Sequence, residues 1–78
     1  MADNYIQIKY SSNAKDKADT LKELILADLP EQDVRLDTHE KDGVEARWFK
    51  NGRSFLILLT SDPEIETALK RMEALKNL

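Results

Sequence analysis

The segment YIQIKY, Tyr5 to Tyr10, alternates strictly: Ile6, Ile8 and Tyr10 fall on one side of an extended chain, and Tyr5, Gln7 and Lys9 on the other. Such alternation predicts a half-buried strand. Three good N-cap residues follow, Ser11, Ser12 and Asn13, and there the period changes. Across AKDKADTLKELILADL, the residues Ala14, Ala18, Leu21, Leu24, Ile25 and Leu29 recur at helical spacing, and Pro30 closes the helix. Leu26 falls off this stripe.

The stretch DVRLDTHEKDGVEARWFKNGRSFLILLT predicts three further strands joined by two tight turns. Asn51-Gly52 is the dipeptide that a type I′ hairpin turn favours, because both of its central residues take positive φ. That turn sets Trp48 opposite Phe55, Ala46 opposite Ile57 and Val44 opposite Leu59, all apolar and all on one face. For the earlier turn, a two-residue loop at Asp42-Gly43 would oppose Glu40 to Glu45. A three-residue loop, Lys41-Asp42-Gly43 with Gly43 left-handed, instead pairs Leu36 with Trp48, Asp37 with Arg47, His39 with Glu45 and Arg35 with Phe49. The second register is preferred, since opposite charges and a cation–π contact replace a like-charge clash. In the last segment, Ser61 and Glu64 form a capping box around Pro63, and Ile65, Ala68, Leu69, Met72 and Leu75 make a second helical stripe that Leu78 can extend.

The expected fold is therefore α+β: a two-layer sandwich of βαβββα order, a four-stranded, mostly antiparallel sheet with two helices packed on one face, forming one domain over residues 1–78. Two strand orders fit this reading. In 2-3-4-1 the fourth strand is interior, whereas in 1-2-3-4 it is an exposed apolar edge. Placing both helices on one side assigns Ile6, Ile8, Val34, Leu36, Val44, Ala46, Trp48, Phe55, Ile57 and Leu59 to the core. The other face keeps mostly polar residues, as a wet sheet face should. Tyr5, Phe49, Leu56 and Leu58 are the exceptions.

Composition limits what that face could do. The chain has 78 residues, 41% of them hydrophobic and 35% charged, with two glycines and two prolines, which suits a small globular domain. Cysteine is absent, and a small secreted domain usually needs disulfides, so a cytoplasmic location is expected. No apolar stretch approaches the ~20 residues of a membrane span, and the N-terminus has no signal-peptide pattern. Fifteen acidic and twelve basic residues leave a net charge of −3. Three bases and no acid fall within residues 46–54, while residues 11–45 hold ten acids and five bases.

Catalytic chemistry finds no foothold in this pattern. One histidine and no cysteine make a structural zinc improbable, and both glycines are used in turns rather than in a phosphate loop. His39 has Asp37 and Glu45 near it on the predicted face but no serine placed as a nucleophile, so it is read as a solvated histidine favoured in its charged form by Glu45. No enzyme activity and no cofactor is expected. The expected role is that of a small protein-binding module, an adaptor, regulator or inhibitor, whose partner is another protein or a second copy of itself. Its surface would centre on Phe49, Leu56 and Leu58, with Arg47, Arg35 and Tyr5 around them. The alternative is a single-stranded nucleic acid on the same face, served by Tyr5, Phe49 and the nearby bases but opposed by Asp37, Glu45 and the negative net charge.

Overall fold

The computed structural model describes residues 4–60 and 65–77. It is an α+β fold: β1 (Asn4–Tyr10), a single 3-10 turn (Ser12–Ala14), α1 (Lys15–Asp28), β2 (Val34–Thr38), β3 (Val44–Lys50), β4 (Arg53–Thr60) and α2 (Ile65–Leu75). Buried residues of both helices join one face of the sheet in a single cluster, in which Ile6, Ile8, Leu21, Ile25, Ile57 and Met72 have almost no exposed surface. The helix α1 lies against β1 and β2, and α2 against β4. Each element contributes the stripe its period implies: Ala18, Leu21 and Ile25 from α1, Ala68 and Met72 from α2. The capping box Ser61–Glu64, Pro63 and Leu78 lie outside the described residues.

The strand order is β2-β1-β3-β4, which corrects both orders expected from sequence. Here β1 and β3 are the interior strands, and β1 runs parallel to β2 (Ile6 beside Val34, Ile8 beside Leu36) and antiparallel to β3 (Ile6 beside Trp48, Ile8 beside Ala46). A parallel neighbour requires a crossover of a dozen or more residues, and α1 with its flanking turns supplies one. The expected β2–β3 hairpin does not form. Residues 39–43 instead straddle the end of β1: the His39 N–H donates to the Tyr10 carbonyl at 3.0 Å, and the Ser11 N–H donates to the Gly43 carbonyl at 3.0 Å. Adjacent strands lie ~4.8 Å apart, so this loop bridges about 10 Å, a span a tight turn does not reach. Gly43 does take positive φ, 99°, but within this wider loop.

Ser11 closes that corner. Its hydroxyl accepts the Gly43 N–H at 3.0 Å and donates to Asn13 Oδ1, and the residue is 7% exposed. It therefore joins the start of β3 to the end of β1 rather than capping α1, which has no side-chain cap. At the opposite end, Trp48 Nε1 donates to Asn4 Oδ1 at 2.9 Å, and Gln32 Nε2 donates to the same oxygen at 3.1 Å. Lys50 Nζ sits 4.9 Å from the Trp48 ring centre and donates to the carbonyls of Leu75 and Lys76, each at 3.4 Å. A cation there satisfies carbonyls that the end of α2 leaves open and complements its dipole. Lys76 in turn reaches Asp28 at 2.8 Å, and that hydrogen bond raises its pKa.

The β3–β4 hairpin follows the expected turn: Asn51 has φ 55° and Gly52 φ 78°, and Trp48 opposes Phe55. Two residues further on, the ladder slips. Arg47 opposes Leu56, yet Ala46 opposes Leu58, so Ile57 is an extra residue in β4. A β-bulge of this kind inverts the facing of everything beyond it. Ile57 and Leu58 both turn to the core, at 1% and 5% exposed, while Leu59 emerges at 64%. The expectations of Leu58 on the open face and Leu59 in the core are both corrected, as are the pairs Ala46–Ile57 and Val44–Leu59; Val44 opposes Thr60.

This inversion can be tested by truncation. In urea titrations of dilute protein, Leu58→Ala should lower unfolding stability by about 2–5 kcal/mol, and Leu59→Ala by no more than about 0.5 kcal/mol. Equal losses, or the reverse order, would contradict the bulge.

Candidate functional site

The face of the sheet turned away from the helices carries three rows of side chains, fixed by the pairing of the strands. The first row holds Tyr5, Phe49 and Ser54; the second holds Arg35, Gln7, Arg47 and Leu56; the third holds Asp37, Lys9, Glu45 and Leu59. No described helix covers this face.

In the first row, Tyr5 and Phe49 stack with ring centres 4.8 Å apart and planes inclined by 21°. Arg35 reaches diagonally from β2, so that its guanidinium carbon lies 3.9 Å from the Tyr5 ring centre. Because β2 and β3 flank β1 on opposite sides, Tyr5 is held between a cation and an aromatic ring. The expected Arg35–Phe49 contact is thus replaced by Arg35–Tyr5, since β1 stands between their strands. Asp33 Oδ2 fixes the guanidinium from below, accepting from Nε at 3.2 Å and from a terminal nitrogen at 3.0 Å.

The charged pairs are also rearranged. Asp37–Arg47 and His39–Glu45 required β2 beside β3, and neither forms. Lys9 takes the place between Asp37 and Glu45 in the ladder. Arg47 approaches Glu45 on its own strand, Nε to Oε2 3.7 Å, and His39 Nε2 lies 3.4 Å from the Gly43 carbonyl. Such exposed pairs contribute little to stability. Among the described residues no group of three His, Asp or Glu side chains is placed to hold a metal ion.

The apolar content of the face runs along β4. Leu56 is half-buried beside Arg47, whose stem can cover it. Leu59 is the single large apolar side chain that stands exposed among the described residues. It borders a shallow recess together with Lys9, His39, Asp42 and Glu45. Of the six residues expected to form a binding surface, the structure brings Tyr5, Phe49 and Arg35 together at one corner and sets Arg47 beside Leu56; Leu58 is removed to the core. Leu59 was missed because the unbroken run FLILL has no alternation to reveal a phase slip.

The edges of the sheet differ in kind. One edge, β2, has five residues, VRLDT, with Arg35 and Asp37 among them. Short length and charge are devices that discourage strand addition. The other edge, β4, has eight residues, RSFLILLT, with one charge, Arg53, at its first position and neither proline nor glycine. Its irregularity is the bulge. No family model, curated protein or solved structure matches the chain.

The aromatic corner yields a thermodynamic test. A double-mutant cycle of Tyr5→Ala and Phe49→Ala should give a coupling of about 0.5–1.5 kcal/mol in unfolding stability. Strictly additive losses would mean that the rings do not stack.

Proposed function

We propose that this chain is a small protein-binding module without catalytic activity, an adaptor, regulator or inhibitor that takes hold of its partner through β4. The observation that carries this reading is the contrast between the two sheet edges. One is short and charged, while the other is long, nearly uncharged and fringed by exposed Leu59. An edge strand presents a row of unpaired backbone groups, and an added strand satisfies them while its side chains meet the flanking apolar positions. Burying Leu59 fully would contribute about 1.5–3 kcal/mol, with Leu56 adding its remaining surface. Arg47 and Glu45 then form a polar rim of both signs.

A single-stranded nucleic acid is supported less. Base stacking needs open ring faces, and the two faces of Tyr5 are taken by Arg35 and Phe49. Asp33 already engages Arg35, and Glu45 already engages Arg47, so two bases nearest the rings are partly neutralised.

The experiment is affinity capture with the immobilised chain, comparing the natural sequence with Leu59→Lys. This variant places its ammonium opposite Glu45 and should leave the fold intact by circular dichroism. A protein partner should be retained at least 10-fold less by the variant. Equal retention would remove β4 as the docking edge. Salt-sensitive retention of mixed-sequence oligonucleotides, lost in Arg47→Ala, would favour the nucleic-acid reading instead.

A further inference from the structure

We infer that the strand added to β4 is the β4 of a second copy of this chain, running antiparallel about a two-fold axis between Ile57 and Leu58. The inference rests on the reading of β4 as the docking edge and adds the identity of the occupant. Its basis is the bulge. Against a regular strand, the slip at Ile57 puts the two sides out of phase: residues on like faces before the bulge fall on unlike faces beyond it. A bulge therefore discourages regular partners. A second β4 brings the same slip at the same place, and the two irregularities cancel if they face each other.

One two-fold register keeps faces matched along the strand. Side chains that oppose one another in an antiparallel pair must point to the same face. When Ile57 opposes Leu58 of the second copy, two residues that turn to the core meet across the axis. Moving outward, Leu56 opposes Leu59, both on the open face. A register centred on Leu56 instead sets Ser54, on the open face, against Leu58, in the core.

Charge supports self-pairing as well. A symmetric interface sets each residue near its own copy's equivalents, so an edge with interior charges would repel itself. The single charge in β4 is Arg53, at its far end from the axis. Across the joined sheet each open-face row would read Arg47, Leu56, Leu59 and Glu45, the last two from the second copy. Two leucines then bury each other between a cation on one side and an anion on the other, twice over.

Light scattering and site-directed crosslinking test this together. The natural chain contains no cysteine, so Leu56→Cys and Leu59→Cys each introduce one thiol. The natural chain should show twice the 9.0 kDa mass of one copy, and Leu59→Lys should return it to a single copy. Under mild oxidation, an equimolar mixture of the two cysteine variants should form at least 10-fold more disulfide dimer than either variant alone, because position 56 faces position 59. A mass of one copy at every accessible concentration overturns self-pairing. If such a monomer still captured a different protein, with loss in Leu59→Lys, the reading of β4 as a docking edge would survive without it. A dimer whose mixture crosslinks no better than the separate variants overturns the register.

Discussion

Everything in this fold is arranged around the burial of Ile6 and Ile8. They belong to β1, which has a parallel neighbour on one side, an antiparallel neighbour on the other and α1 packed against it, and neither retains exposed surface. A strand in that position must have its backbone groups satisfied by two partners, one parallel and one antiparallel. From this follow the α1 crossover that carries the chain back beside its own start, the wide loop over the end of β1, and Ser11 at the point where three segments meet. In a chain of 78 residues, which buries roughly 60% of its unfolded surface, few other side chains could anchor the sheet as these two isoleucines do.

Much of this was legible in the residues, and the limits are physical. Local signals were reliable: the alternation of YIQIKY, the stripe Ala18–Leu21–Ile25, and the Asn51-Gly52 turn each depend on a few neighbouring positions. Strand order was not legible, because periodicity tells a strand which face to bury and says nothing about which strand lies beside it. Gly43 and Asn51-Gly52 both suit hairpin turns, and pairs such as Asp37–Arg47 favour one register of a β2–β3 hairpin. Lys9 offers Asp37 an equally favourable neighbour, so charge pairing did not discriminate. Within the candidate surface, Tyr5, Phe49, Arg35, Arg47 and Leu56 fell where alternation put them. Leu58 and Leu59 exchanged places because FLILL is apolar throughout, and a one-residue slip within an all-apolar run leaves no trace in the pattern.

That slip also decides which members of the apolar run reach the core. A regular strand would turn Leu56 and Leu58 outward, whereas the bulge turns out Leu56 and Leu59 and keeps Leu58 in. By turning both Ile57 and Leu58 inward, β4 delivers two large side chains to the part of the core beneath α2, where Ala68 and Met72 are buried. The small Ala46 opposite Leu58 leaves room for them. The exposed Leu59 is the geometric remainder of that packing, and it stands on an edge strand of the sheet.

The central place of β1 has a kinetic side as well. The β3–β4 hairpin can close on its own through a turn of two residues, and such hairpins form within microseconds. The rest of the sheet waits on contacts between the two halves of the chain, since Tyr10 must find Val44 and Asn4 must find Lys50. Loop closure over such separations slows the search. Until the N-terminal strand docks, neither flank of the hairpin has a neighbour from the same chain. The docking of β1 is therefore the step that joins the local hairpin to the rest of the sheet.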